Sequence, residues 1–137
     1  MAREGTGGCA CGTIRYEFKG DPREIIACHC MYCQTRSGSA FGMSMFLGKD
    51  ALRITKGKLK IFRNTRDSGR AVLVAICPEC GTQIYGEPEW RPDTIVVKPG
   101  TLDDTSWLVP DTHIWTSRKQ PWIVIPEGVS VHEGQPS

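Results

Sequence analysis

Apolar residues recur mostly at every second position along the chain. Ile14, Tyr16 and Phe18 alternate with Thr13, Arg15 and Glu17, the pattern of a strand with one buried face. Further short runs read the same way: Gly42 to Leu47, Leu52 to Thr55, Leu59 to Phe62, Val72 to Cys77, Thr82 to Tyr85, Thr94 to Lys98 and Trp122 to Ile125. Glycine and proline punctuate them, as turns between short strands require. Lys56-Gly57-Lys58 reads as a hairpin turn. No segment sustains a 3.6-residue repeat, and the best helix candidate is the stretch from Tyr32 to Ser37. The expectation is an all-β fold of short antiparallel strands packed as small sheets, with little helix. Cys77 closes a strand, so chemistry is expected at strand ends and loops. Residues 1–126 read as a single domain, and the polar, Gly- and Pro-containing stretch 127–137 as a flexible tail.

Length and charge narrow this only a little. A chain of 137 residues suits one compact domain with a real core. Its formal net charge is +2 and its lysines and arginines are scattered, so nothing pulls it strongly toward nucleic acid or a membrane surface. The start, Met1 to Gly8, is polar and glycine-rich, without the apolar stretch of a signal peptide. No window reaches the apolar length of a membrane span. A cytoplasmic setting is expected, where thiols stay reduced.

That setting governs the reading of the seven cysteines, which fall in three clusters: Cys9-Ala-Cys11, Cys28-His-Cys30-Met-Tyr-Cys33 and Cys77-Pro-Glu-Cys80. An odd count, a reducing compartment and neighbours two apart all argue against disulfides. Isolated core cysteines would not gather in three tight groups. Thiolates at short spacing on a turn can share one tetrahedral zinc. Cys77-Pro78-Glu79-Cys80-Gly81 has the form of a zinc knuckle: proline stiffens the turn, and the glycine admits conformations that aim amides at sulfur. Its natural complement is Cys9/Cys11, flanked by Gly8 and Gly12. The four together suit a closed structural site.

Cys28, Cys30 and Cys33 remain. Three local thiolates without a fourth cysteine suit an open site completed by water or substrate; His29, His113 or a carboxylate could instead close it. His29 stands between two ligands, so its ring is expected to point away from the ion. A zinc held by three thiolates is electron-rich and a weak Lewis acid, poorly suited to activating water. It is well suited to binding an exogenous thiol and presenting it to an electrophile.

These residues resemble a known family. Gly8-Cys-Ala-Cys-Gly-Thr-Ile-Arg-Tyr16, Cys28-His-Cys-Met-Tyr-Cys33, Gly38-Ser-Ala-Phe41, Cys77-Pro-Glu-Cys-Gly-Thr82 and His113-Ile-Trp115 look like the glutathione-dependent formaldehyde-activating enzymes, a family that includes a domain of centromere protein V. The likeness runs from about Gly7 to Trp122. It implies a β-tent-like carbon–sulfur lyase fold with two zinc ions per chain, the second at times partly occupied. By the same likeness Cys9, Cys11, Cys77 and Cys80 match structural ligands, and Cys28, Cys30 and Cys33 match catalytic ones. The implied reaction joins glutathione and formaldehyde as S-hydroxymethylglutathione, or acts on another small-thiol adduct.

Other residues are open to two readings. Arg36 can meet a substrate carboxylate with its planar fork or be an ordinary surface arginine. His113 can carry protons near the open site or be a hydrogen-bonded structural histidine. Phe41 reads as a core residue beside the metal or a wall of its pocket, and the tryptophans Trp107, Trp115 and Trp122 read as core or lid. The rival to an enzyme is a binding module in which both metals are structural and a surface recognises protein or nucleic acid, the latter disfavoured by the small charge.

Overall fold

The computed structural model describes residues 3–66 and 68–136, which fold mostly as β-strands with one seven-residue α-helix. The chain forms two compact units, each assembled from two segments: Met1–Arg23 with Met45–Trp107, and Glu24–Ser44 with Leu108–Ser137. No helix among the described residues is long and apolar enough to cross a membrane.

In the first unit, β1 (Glu4–Gly8), β2 (Arg15–Lys19) and β5 (Leu52–Lys56) form an antiparallel sheet in the order β1-β2-β5. The alternation seen in the sequence places Ile14, Tyr16 and Phe18 in the core, because successive side chains point to opposite faces. Strand β1 has no such alternation, and the sequence reading passes over it. Its glycines are required by close packing: a Cβ at Gly7 would stand 2.5 Å from the Thr101 carbonyl oxygen and from the Tyr16 ring.

The remaining strands of this unit run side by side as β9 (Thr94–Val97), β8 (Gln83–Pro88), β7 (Ala71–Ile76) and β6 (Lys60–Thr65), with Met45–Gly48, the second part of β4 (Gly42–Gly48), beside β9. All these pairings are antiparallel. Met45 and Leu47 are wholly buried while their neighbours are not, and every residue of β9 is buried. The exposed edge strand β6 carries Lys60 and Arg63, charges that discourage edge-to-edge pairing.

Lys56-Gly57-Lys58 does not make the hairpin expected of it. β5 pairs with β2 and β6 with β7, so the segment carries the chain between two sheets. Gly57 has φ 84°, and a Cβ there would lie 2.3 Å from the Thr13 carbonyl oxygen. The glycine is needed for passage over the loop that bears Cys11, not for a two-strand turn.

A polar cluster ties β1 and β2 to the segment after β9. Arg15 Nη1 donates to Asp103 Oδ1 (3.0 Å) and Arg15 Nη2 to Asp103 Oδ2, while Thr6 Oγ1 donates to Asp103 Oδ2 (2.6 Å). Tyr16 Oη and Thr101 Oγ1 lie 2.7 Å apart, and burial pushes the Tyr16 phenol up to about 12. Arg15, then Thr6, hold the Asp103 carboxyl below its ordinary 3.8. A depressed folded value means that this stabilisation is complete above the unfolded value and is lost as pH falls through the folded one. Asp103→Asn is therefore expected to lower the unfolding midpoint modestly at pH 7, by about 1 kcal/mol or less for a half-exposed pair. The gap to the parent should close on acidification below pH 3.8. Thermal melts across pH check this; a gap independent of pH would show that charge is not the cause.

In the second unit, β3 (Glu24–Cys28), β10 (Thr112–Ile114) and β11 (Ser130–Val131) line up in the order β11-β10-β3, with both pairings parallel. Helix α1 (Met31–Ser37) agrees with the sequence reading to within a residue. The run from Trp122 to Ile125 is not a strand. Pro121 and Pro126 bracket it and remove ladder donors, Ile123 N–H turns back to the Gln120 carbonyl (3.1 Å), and Trp122 and Val124 are 70% and 88% exposed. In the stretch read as a tail, Ser130 and Val131 pair with Thr112 and His113, and Ser117 Oγ donates to the Glu133 carbonyl (2.7 Å).

Candidate metal centres

Two turns of similar design converge in the first unit. The loop between β1 and β2 is closed by Cys9 N–H to the Ile14 carbonyl (3.1 Å) and Gly12 N–H to the Cys9 carbonyl (3.2 Å). The β7–β8 turn is closed by Cys77 N–H to the Thr82 carbonyl and Gly81 N–H to the Cys77 carbonyl, each 2.9 Å. Gly12 and Gly81 take φ 81° and 80°, a conformation that suits glycine. In both turns amides are left to point at sulfur: Ile14 N–H at Cys9 Sγ (3.2 Å), and Glu79 and Cys80 N–H at Cys77 Sγ (3.4 and 3.5 Å).

The ligand atoms of Cys9, Cys11, Cys77 and Cys80 all lie within 4.8 Å of one another. Cys9 and Cys11 sulfurs are 3.6 Å apart, and Cys11 and Cys77 sulfurs 3.8 Å. A tetrahedral zinc with bonds of about 2.3 Å separates its sulfurs by about 3.8 Å, whereas a disulfide requires about 2.0 Å. All seven cysteines are free thiols. The set fits a tetrahedral metal ion and no bridge.

Two groups that the sequence reading overlooked complete this set. Thr13 Oγ1 stands 3.1 Å from Cys11 Sγ, and Thr82 Oγ1 stands 3.1 Å from Cys80 Sγ. The signal was present as a repeated tripeptide, Cys11-Gly12-Thr13 and Cys80-Gly81-Thr82. Thr82, through its hydroxyl and then its amide, brings the Cys80 thiol down to about 5. Burial pushes Cys77 up to about 11. Burial, and more weakly the Cys80 thiol, oppose ionisation of Cys9, but the Ile14 amide and the Cys11 and Cys77 thiols outweigh them and leave Cys9 lowered.

Cys28, Cys30 and Cys33 form a second group in the other unit, their sulfurs again within 4.8 Å. Cys28 ends β3, Cys30 caps α1, and Cys33 lies in the helix's first turn. Cys33 N–H donates to Cys30 Sγ (3.3 Å), so one sulfur serves both as helix cap and as candidate ligand. The Cys33 thiol, then burial, pushes the Cys28 thiol up. Gly42 lies alongside, where a Cβ would come within 3.3 Å of Cys33 Cβ. No histidine or carboxylate joins either group among the described residues.

His29 turns into the core, as its position between ligands suggested. It is fully buried, and its Nε2 lies 2.9 Å from His113 Nδ1, so neither ring joins the sulfurs. Burial holds both imidazoles below their ordinary value. His113 is thus hydrogen-bonded within the core, the geometry that its structural reading expects. Phe41 packs its ring 5.2 Å from His29. Arg36 is exposed in the last turn of α1, where a cation complements the helix dipole. Gln34, which the sequence did not single out, braces the loop: its Nε2 donates to the carbonyls of His29 (2.8 Å) and Arg118 (2.9 Å), and its Oε1 accepts from Gln120 Nε2 (3.1 Å).

A family model described as glutathione-dependent formaldehyde-activating enzyme matches residues 4–118. A protein of Colletotrichum graminicola that carries that enzyme's name provisionally is 26% identical over 87 residues, covering 57% of this chain and 44% of its own. The chain therefore spans less than half the length of that curated relative. A crystal structure of a Rhodobacter sphaeroides protein superimposes with a TM-score of 0.56 at 18% identity, over 72% of this chain and 87% of that one; at that identity the likeness is one of fold.

Proposed function

The chain belongs to the glutathione-dependent formaldehyde-activating enzyme family, and from that membership we propose that it is a zinc-dependent carbon–sulfur lyase or synthase acting on adducts of a small thiol, glutathione with formaldehyde being the first pair to test. The observation that carries this reading is the local set of three sulfurs, Cys28, Cys30 and Cys33, which no protein histidine or carboxylate joins among the described residues. Three thiolates leave a tetrahedral ion one position for substrate. Cys9, Cys11, Cys77 and Cys80 would hold a second, structural ion.

When bound to the three thiolates, zinc supplies acidification of a substrate thiol and a fixed place for its sulfur. The chain's own contribution is to hold the three sulfurs in place before substrate arrives. Cys33 N–H stabilises negative charge on Cys30 sulfur. Gln34 fixes the His29 carbonyl and with it the turn between Cys28 and Cys30. Gly42 keeps the flank of Cys33 clear. In the forward reaction the thiol sulfur bonds to the formaldehyde carbon, the C=O π pair becomes an O–H bond, and the thiol proton is the one consumed. No oxidant or reductant is required. The cytoplasm, where thiols stay reduced, suits both ligand sets and substrate.

The test combines metal content per chain with a titration of glutathione into cobalt-substituted protein, followed by visible absorption. Two metals, one of them changing its spectrum as thiol is added, support the proposal. Two metals with neither responding to any thiol would overturn it and favour a binding module with two structural ions.

A further inference from the structure

The residue between the first two cysteines of the three-sulfur loop is held at three points. His29 N–H donates to the Ile114 carbonyl (3.0 Å), prolonging the parallel pairing of β3 with β10. Its carbonyl accepts from Gln34 Nε2 (2.8 Å). Its ring, fully buried, meets His113 through Nε2 and Nδ1 at 2.9 Å, the two rings near parallel with centroids 5.2 Å apart. Two of these three restraints come from β10, and the third from the helix that carries Cys33. A residue so fixed leaves the flanking Cys28 and Cys30 little freedom to change the separation of their sulfurs.

We infer that His113 is a positioning residue for the metal loop, acting through the His29 ring to preset the Cys28, Cys30 and Cys33 sulfurs. This rests on the metal reading of that loop given above. The contact His113 makes is with His29 and not with the sulfurs, so its part is to position the loop.

The hydrogen bond between the rings also has a direction. A separation of 2.9 Å admits one proton between the two nitrogens. If His113 Nδ1–H donated, a neutral His29 would carry its proton on Nδ1, which is buried without a partner among the described residues. A buried orphan N–H is rarer in proteins than a bare acceptor. The favoured arrangement therefore has His29 Nε2–H donating to the His113 Nδ1 lone pair, with His29 Nδ1 left as an unprotonated acceptor. Groups hydrogen-bonded directly to a metal ligand commonly change affinity by about 10–100-fold, and His113, which acts one residue further out through His29, is placed at the lower end of that range.

The experiment measures cobalt(II) affinity by competition with a chelator, in protein whose four-cysteine set is already filled with zinc. His113→Leu is expected to weaken binding at the three-cysteine set by at least about tenfold and to shift its visible spectrum. His113→Asn, whose Oδ1 takes the place of Nδ1 as acceptor, should restore affinity to within a few-fold of the parent. Equal affinity in the leucine variant overturns the inference. So does equal loss in both variants, because packing rather than the hydrogen bond would then be at work. Should the leucine variant fail to fold, imidazole nitrogen spectra of the unmodified protein decide: a scalar coupling across the hydrogen bond between His29 Nε2 and His113 Nδ1 supports the brace, and its absence refutes it, while the nitrogen shifts report which ring donates. If the unmodified three-cysteine set takes up no cobalt, the proposed function fails on its own account, and the nitrogen spectra still judge the ring pair.

Discussion

Cys80→Ser is expected to be insoluble or rapidly digested by protease, with loss of the cooperative unfolding transition. The sulfurs of Cys11 and Cys77 come within 3.8 Å across 66 residues of chain, so one ion would join two turns that no short loop connects. Structural zinc contributes about 10–16 kcal/mol in small zinc domains, against a net stability of about 5–15 kcal/mol for a typical protein. With an ion held there, removing one of four thiolates would leave three charges and a weakened ion in a partly buried place. Serine keeps the approximate shape and a hydroxyl for Thr82, so the loss reports on the thiolate itself. The checks are zinc per chain, far-UV circular dichroism and limited proteolysis. Soluble protein melting within a few degrees of the parent would remove the structural role from this set.

Cys30→Ser should behave in the opposite way, folded but with at least about a hundredfold less activity, since loss of a ligand should cost at least as much as loss of its supporting partner. The fold should survive for two reasons. Helix α1 buries none of its residues, so the core does not depend on its exact seating. Serine is also a preferred helix cap and can accept the Cys33 N–H that Cys30 sulfur now receives. What disappears is the third thiolate. The comparison is circular dichroism and melting point against turnover of S-hydroxymethylglutathione formation, with metal content measured in parallel. Unaltered turnover would detach activity from this loop. Unfolding as severe as that of Cys80→Ser would mean that the two sets do not divide into structural and catalytic.

Much of the fold could be read in advance where the determining contacts are local. Alternation around Ile14, Tyr16 and Phe18 found a buried strand face, and the run over Val72 to Cys77 found β7 within a residue at each end. Strands β1, β3, β10 and β11 escaped for different reasons. β1 is glycine-rich because Tyr16 and the Thr101 carbonyl press against it, and a strand selected for closeness shows no hydrophobic period. β10 and β11 are three and two residues long, too short for any period to register. The run Trp122 to Ile125 misled because apolar content says nothing of ladder donors, which its flanking prolines remove.

By itself, the sequence determined how the cysteines divide. Ligands two or three residues apart are brought together by the turn that carries them, so their spacing already implies their geometry, and counting to four pairs Cys9/Cys11 with Cys77/Cys80. Only the tertiary structure decided what surrounds the sulfurs. His29 and His113 are 84 residues apart, and Gln34 reaches both its own loop and Arg118. Such contacts depend on which strands lie side by side, and a parallel pairing such as β3 with β10 has no turn between its strands to announce it.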